Sequence, residues 1–173
     1  MKVLVTGSRG YIGSVVVKTL QQQGIEAFGI DINPRPNGSA VYGMYSEANI
    51  NEEIIADIAV QQGYDTIFHL AASADVGDSV ANPHLYYENN VGNTATFFKH
   101  LLSKGWRGKF IFSSTAAVYE ERANKVYETS PIGSPNPYGV SKYACEEMLR
   151  AINQSHGIDI VIFRYFNVAG AWD

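Results

Sequence analysis

Hydrophobic and polar residues follow two rhythms along this chain, and the two keep exchanging places. Short stretches rich in β-branched and aromatic residues run with few polar interruptions: Lys2–Thr6, Glu26–Ile30, Val41–Ser46, Thr66–Leu70, Lys109–Ser113 and Ile158–Arg164. That pattern predicts strands of a parallel sheet buried on both faces. Between them lie longer stretches with helical spacing. Tyr11–Gln23 carries a stripe of Ile12, Val15, Val16, Thr19 and Leu20, and Pro83–Lys104 carries Val91, Ala95, Phe98 and Leu102; Asn51–Gln62 and Pro137–Gln154 complete the set. Gly24, Gly63 and Gly105 stand where C-terminal caps belong. The stretch from Asn33 to Gly38, with two prolines and a glycine, reads as a loop.

Six strands joined by helix-length connections predict an α/β domain: a Rossmann-type, doubly wound parallel sheet with helices on both faces. At 173 residues a single domain spanning 1–173 is expected. Ligands of such sheets sit beyond the carboxyl ends of the strands, which directs attention to Gly7, Asp31, Leu70, Ser113 and Phe166.

Composition narrows the function. Hydrophobic residues make up 46% and charged residues 17%, as in a globular chain. A net charge of −4 argues against a nucleic-acid partner. No apolar run approaches the roughly 18 residues of a membrane span, and the N-terminus is not a signal peptide, so no membrane partner is expected. The lone Cys145 permits no internal disulfide and suits a reducing, cytoplasmic location. Four scattered histidines show no metal-ligand spacing.

Two motifs carry chemistry. Gly7-x-x-Gly10-x-x-Gly13 follows a strand and opens a helix, the context of a dinucleotide site. Gly7 permits a tight turn, Gly10 lets a pyrophosphate approach the backbone, and Gly13 allows close helix packing. Asp31, at the end of the second strand, can accept both adenosine ribose hydroxyls and would repel a 2′-phosphate, which favours NAD over NADP. Arg35 is expected to face solvent. The second motif is Tyr138-Gly139-Val140-Ser141-Lys142, with Ser113-Ser114-Thr115 upstream. A tyrosine brought from pKa 10 to about 7 needs roughly 4 kcal/mol of differential stabilisation. Lys142, one helical turn on, can favour the phenolate and hold the nicotinamide ribose. Thr115 can hydrogen-bond the substrate oxygen. His69 is expected to serve packing rather than catalysis.

Together these stretches resemble the extended short-chain dehydrogenase/reductase family, and most closely its UDP-glucose (UDP-galactose) 4-epimerases. Further matching stretches are His69-Leu70-Ala71-Ala72, Tyr86-Tyr87-Glu88-Asn89-Asn90-Val91, Ser113–Tyr119 and Arg164-Tyr165-Phe166-Asn167-Val168-Ala169-Gly170. The resemblance implies Thr115, Tyr138 and Lys142 as the catalytic trio. It implies that Tyr11 and Ile12 touch the pyrophosphate, that Leu70, Ala71 and Ala72 line the cofactor path, and that Asn90 positions the cofactor. Ser113 joins this lining, Phe166 packs by the nicotinamide, and Asn167 reaches a UDP-sugar. The reaction implied is inversion at C4: Tyr138 removes the hydroxyl proton while hydride passes to NAD, the 4-keto sugar turns over, and hydride returns to its other face.

Where the family has Gly-Asp-Ile after the third strand, this chain has Glu47-Ala48-Asn49-Ile50, so Asn49, with Ile50 beside it, takes the place of the adenine-reading aspartate. Asp57, mid-helix, does not. Related dehydratases carry Asp-Glu after the threonine, where Ala116-Ala117 stand here, and dehydration is therefore disfavoured. The family's helices matching 83–104 and 137–154 imply a homodimer. Its members also continue into a C-terminal substrate region absent from these residues. The resemblance thus leaves open an active epimerase, an NAD-binding module with little catalysis alone, or an enzyme of another nucleotide-sugar.

Overall fold

A computed structural model describes residues 1–34, 44–121 and 125–170. Arg35, the rest of the predicted loop after Pro34, and residues 41–43 of the predicted third strand lie outside them. Among the described residues six strands form one sheet: β1 (Lys2–Thr6), β2 (Glu26–Asp31), β3 (Met44–Glu47), β4 (Thr66–His69), β5 (Lys109–Thr115) and β6 (Asp159–Tyr165). Their order is β3-β2-β1-β4-β5-β6 and every pairing is parallel. The order reverses direction at β1 and β4, which creates a crevice beyond their carboxyl ends.

Side-chain alternation along β1 shows how two cores arise from one strand. Leu4 joins the larger core with Ile30, Ile67, Phe110 and Phe112. Val3 and Val5 point to the opposite face, onto Val17, Val16 and Leu20. The larger core is closed by α2 (Glu53–Gln61), α5 (Asn93–Ser103) and α6 (Pro137–His156), while α1 (Tyr11–Gln22) covers the other face. On that second face β6 presents Phe163, 44% exposed and stacked 5.9 Å from Tyr165. No helix among the described residues is long and apolar enough to cross a membrane.

Three helices differ in detail from expectation. In α1 the buried positions are Gly13 and Val17, and Val16 and Leu20 of the expected stripe pack partly buried beside them. A short helix not expected from the pattern, α3 (Val76–Ala81), is capped by Asp75, whose carboxylate accepts from the Asp78 amide at 2.8 Å. The predicted helix 83–104 is helical almost throughout but not uniform. After α4 (Pro83–Tyr86), a π-helical segment (Tyr87–Gly92) precedes α5. A π turn adds a residue to the ladder and rotates the helix beyond it. The buried positions of α5 are Thr94, Phe97, Phe98 and Leu101; of the expected face, Phe98 is buried and Val91 and Leu102 pack partly buried against the core. Asp57 lies within α2 and pairs with Lys104 at 2.8 Å, tying that helix to the end of α5.

Candidate functional site

The turn between β1 and α1 is shaped by what its glycines lack. Gly7 has φ +68°, and a Cβ there would sit 2.6 Å from the Ala71 nitrogen. A Cβ on Gly13 would lie 2.1 Å from the Gly7 carbonyl oxygen. The helix therefore starts pressed against its own approach strand, its first amides facing the crevice, an arrangement suited to phosphate. Asp31 braces the loop: its carboxylate accepts from the Arg9 amide at 2.9 Å and the Asn33 amide at 2.9 Å. The predicted NAD-reading carboxylate is thus also part of the loop's scaffold.

Two adjoining clefts open from this turn. The larger, about 750 Å³, runs from Gly7, Gly10, Tyr11, Ile12 and Gly13 past Leu70 and Ala72 to Ser113, Thr115, Tyr138 and Lys142, with Phe166 and Asn167 at its mouth. The smaller, about 190 Å³, is lined by Asp31, Asn49, Ile50, Ala71 and Ser73. Gly7, Gly10, Leu70 and Ala72 are common to both. Nearly every candidate taken from the sequence therefore faces one continuous trough. The Tyr11 hydroxyl donates to the Gly170 carbonyl oxygen at 2.6 Å, crossing from the first helix to the chain beyond β6.

Asn90 is the exception. It is 2% exposed and lines neither cleft. Its Oδ1 accepts from the Ser73 amide at 2.8 Å, and its Nδ2 donates to the Ser73 carbonyl at 3.0 Å and to Ser141 Oγ at 3.0 Å. It clamps the loop after β4 to α6, so any effect on a cofactor passes through Ser73 and that helix.

The reactive end is assembled on α6. Asn136 caps it by accepting from the Gly139 amide at 2.9 Å, Pro137 opens it, and Gly157 ends it with φ +68°. Lys142 is 3% exposed, and its ammonium donates to the Ser113 carbonyl at 2.8 Å and lies 4.8 Å over the Phe112 ring. Burial lowers its pKa to about 8. Burial also raises that of Tyr138, while a hydrogen bond with Thr115 pulls it partly back. The protein surroundings alone thus oppose a phenolate. Positive charge brought into the cleft would act in the other direction.

His69 makes no use of the cleft. Thr6 Oγ1 lies 2.8 Å from its Nδ1 and Thr94 Oγ1 3.1 Å from its Nε2, and it stacks on Phe112 with centroids 5.9 Å apart. Burial lowers its pKa to about 3, so it is a neutral core residue.

Two residues were not singled out from the sequence. Gly139 fits between α6 and the end of β5, where a Cβ would be 2.4 Å from the Ala117 carbonyl oxygen. Glu146 is fully buried and receives Ser114 Oγ at 2.5 Å and the Arg164 guanidinium at 2.6 Å. Burial alone would raise its pKa, but bonds from Arg164 and Ser114 override it and hold the carboxyl below its ordinary value. The signal for Glu146 was its spacing: 138, 142 and 146 repeat at i, i+4, i+8, one face of a helix.

This geometry agrees with what the chain is similar to. A family model described as NAD dependent epimerase/dehydratase family matches residues 3–173. The UDP-glucose 4-epimerase of Halalkalibacterium halodurans is 38% identical over 174 residues, covering 99% of this chain and 52% of its own length. That of Azospirillum brasilense is 40% identical over 178 residues, covering 98% and 50%. The solved UDP-glucose 4-epimerase from Brucella ovis in complex with NAD superposes with a TM-score of 0.91 at 34% identity, covering 98% of this chain and 53% of that one. The Stenotrophomonas maltophila UDP-glucose-4-epimerase with bound NAD and formylated UDP-arabinopyranose gives 0.87 at 29% identity, covering 96% and 53%. The chain spans about half the length of these relatives.

Proposed function

This chain belongs to the NAD dependent epimerase/dehydratase family, and from that premise we propose that it holds NAD along the joined clefts and inverts C4 of a UDP-sugar of the glucose/galactose type. One observation carries the reading: the glycine cradle and the Thr115, Tyr138, Lys142 group form the two ends of a single cleft. The residues present fit the cofactor, since Gly7, Gly10 and Gly13 line one end of the cleft in a turn too tight for a side chain at Gly7 or Gly13. NAD, when bound, supplies the acceptor and donor of hydride and a positive charge near Tyr138.

The chain's own residues do the rest. Tyr138 takes the proton of the sugar C4 hydroxyl and later returns one to the same oxygen. Lys142, protonated below its pKa of about 8, favours the phenolate and holds the nicotinamide ribose. Thr115 hydrogen-bonds the reacting oxygen. Asp31 accepts the adenosine ribose hydroxyls, and Asn49, with Ile50 beside it, takes the adenine amino group. Phe166 flanks the nicotinamide and Asn167 meets the sugar nucleotide, both from the cleft mouth. Inversion requires the keto sugar to present its other face before the alcohol is re-formed. Ala116 and Ala117 offer no acid to expel water, which favours epimerisation over dehydration. A homodimer through α4, the π segment, α5 and α6 is part of the reading, supported by exposed Leu85, Tyr87 and Val140 on those elements. Light scattering at micromolar concentration is expected to give twice the chain mass.

The test is direct. Calorimetry is expected to show NAD binding, and UDP-galactose is expected to convert to UDP-glucose. Tyr138→Phe should lose conversion and keep NAD binding. Absence of NAD binding would overturn the proposal. A second reading, an NAD-binding module that turns over little by itself, is favoured by the half-length match to relatives. Binding without conversion selects it.

A further inference from the structure

Three consecutive residues of β5 each meet α6. The Ser113 carbonyl accepts from Lys142, Ser114 Oγ donates to Glu146, and Thr115 lines the same cleft as Tyr138. The middle tie is the only one of these that involves neither proposed catalytic side chain of α6. It is also the most heavily built. Glu146 Oε1 accepts from Ser114 at 2.5 Å and from Arg164 Nε at 2.9 Å, and its Oε2 accepts from Arg164 Nη2 at 2.6 Å and Arg150 Nη2 at 2.8 Å. Ser114 and Arg164 are direct cross-strand partners on β5 and β6. Arg164 is in turn fixed by the Tyr119 hydroxyl at 2.9 Å, and its guanidinium stacks 4.8 Å over that ring.

Burying a charged carboxylate is costly unless its oxygens are closely paired, as those of Glu146 are. Here it joins the ends of two strands to the catalytic helix, one residue before Thr115. We infer that Glu146 is a positioning residue: with Arg164 and Ser114 it sets the distance between Thr115 and the Tyr138 phenol, and so the ease with which Tyr138 ionises. The inference rests on the proposed role of Tyr138 as base.

The experiment measures ionisation of Tyr138 in the NAD-loaded protein. The ultraviolet phenolate absorbance is followed against pH, and the signal of the matching Tyr138→Phe derivative is subtracted. Glu146→Gln keeps the shape, removes the charge and loosens Arg164. Ser114→Ala cuts the tie to β5 and leaves the ion pair intact. Both variants are expected to raise the Tyr138 midpoint, Glu146→Gln by about one pH unit, a tenfold fall in phenolate at a given pH, and Ser114→Ala by less. Turnover of UDP-galactose should fall in kcat with KM little changed. Ser114→Ala carries the test if Glu146→Gln does not fold. A lower melting temperature with an unmoved Tyr138 midpoint would make the cluster merely structural and overturn the inference. A wild-type protein with no Tyr138 titration would instead overturn the assignment of Tyr138 as base.

Discussion

Between the phenol and the ammonium of the reactive pair sits a residue chosen for its lack of a side chain. A methyl group on Gly139 would come within 2.1 Å of Ser134 Oγ and 2.4 Å of the Ala117 carbonyl. Gly139→Ala must push the first turn of α6 away from the end of β5. Overpacking of this kind costs about 1–3 kcal/mol, and a displacement near 1 Å at a reacting centre costs on the order of 100-fold in rate. Urea unfolding and UDP-galactose turnover measure the two effects, and unchanged turnover would contradict the close fit. Tyr138, Lys142 and Thr115 were legible in the sequence because their residue types and spacing declare their chemistry. Glu146 was not, because an acid on an amphipathic helix looks like solvated surface. Its burial depends on Arg164, which reaches it only once β6 has paired with β5.

At the scale of elements, the helix after β4 shows where periodicity fails. A pattern continued at 3.6 residues per turn from Val91 selects Ala95 and Leu102. The helix, interrupted by a π segment over Tyr87–Gly92, buries Phe97 and Leu101 as well, while Leu102 packs at the core's edge. Nothing in the local residue types announces that insertion. It is held by Asn90, whose side chain satisfies Ser73 and Ser141, and π turns of this sort concentrate at functional sites. Asn90→Ala leaves the buried partners of its amide unsatisfied, at about 1–3 kcal/mol for each group stranded. The expected outcome is a lower urea midpoint together with weaker NAD binding, since Ser73 lines the smaller cleft. Weaker stability with unaltered NAD affinity would show that the clamp does not reach the cofactor site. The strands fared better, because a buried parallel strand is marked by its own composition.

Across the whole molecule, the doubly wound sheet followed from six strands interleaved with four long helices, and the observed order has the reversal such a sheet requires. The uneven cover of its two faces did not follow, since it depends on where each connection crosses. Two buried bases give this body the same sense of pH dependence in two separate windows. His69 has its pKa lowered from 6.5 to about 3 by burial. Between those values the unfolded chain binds a proton that the folded one refuses, so stability falls as pH falls through that window, by up to about 1.4 kcal/mol per unit. Lys142, lowered from 10.5 to about 8, is charged in both states below 8 and carries its burial penalty there. As pH rises from 8 towards 10.5 the folded state sheds the proton first, and this group's contribution to stability rises. Urea midpoints measured across pH should therefore show a shallower acid decline in His69→Gln and a missing alkaline rise in Lys142→Met. Profiles identical to wild type would refute both assignments.

The hydrogen bond from Tyr11 to Gly170 has a consequence for time rather than for affinity. It ties α1, just past the glycine turn, to the segment that follows Phe166 and Asn167. A dinucleotide seated at the glycine turn is expected to leave more slowly while that link is closed. A reaction that restores its own oxidant each cycle gains from such a resident cofactor. One hydrogen bond of about 1 kcal/mol slows escape roughly fivefold. Tyr11→Phe is expected to shorten the residence of NAD by about that factor in a chase with unlabelled cofactor, and an unchanged off-rate would show that the phenol does not gate departure.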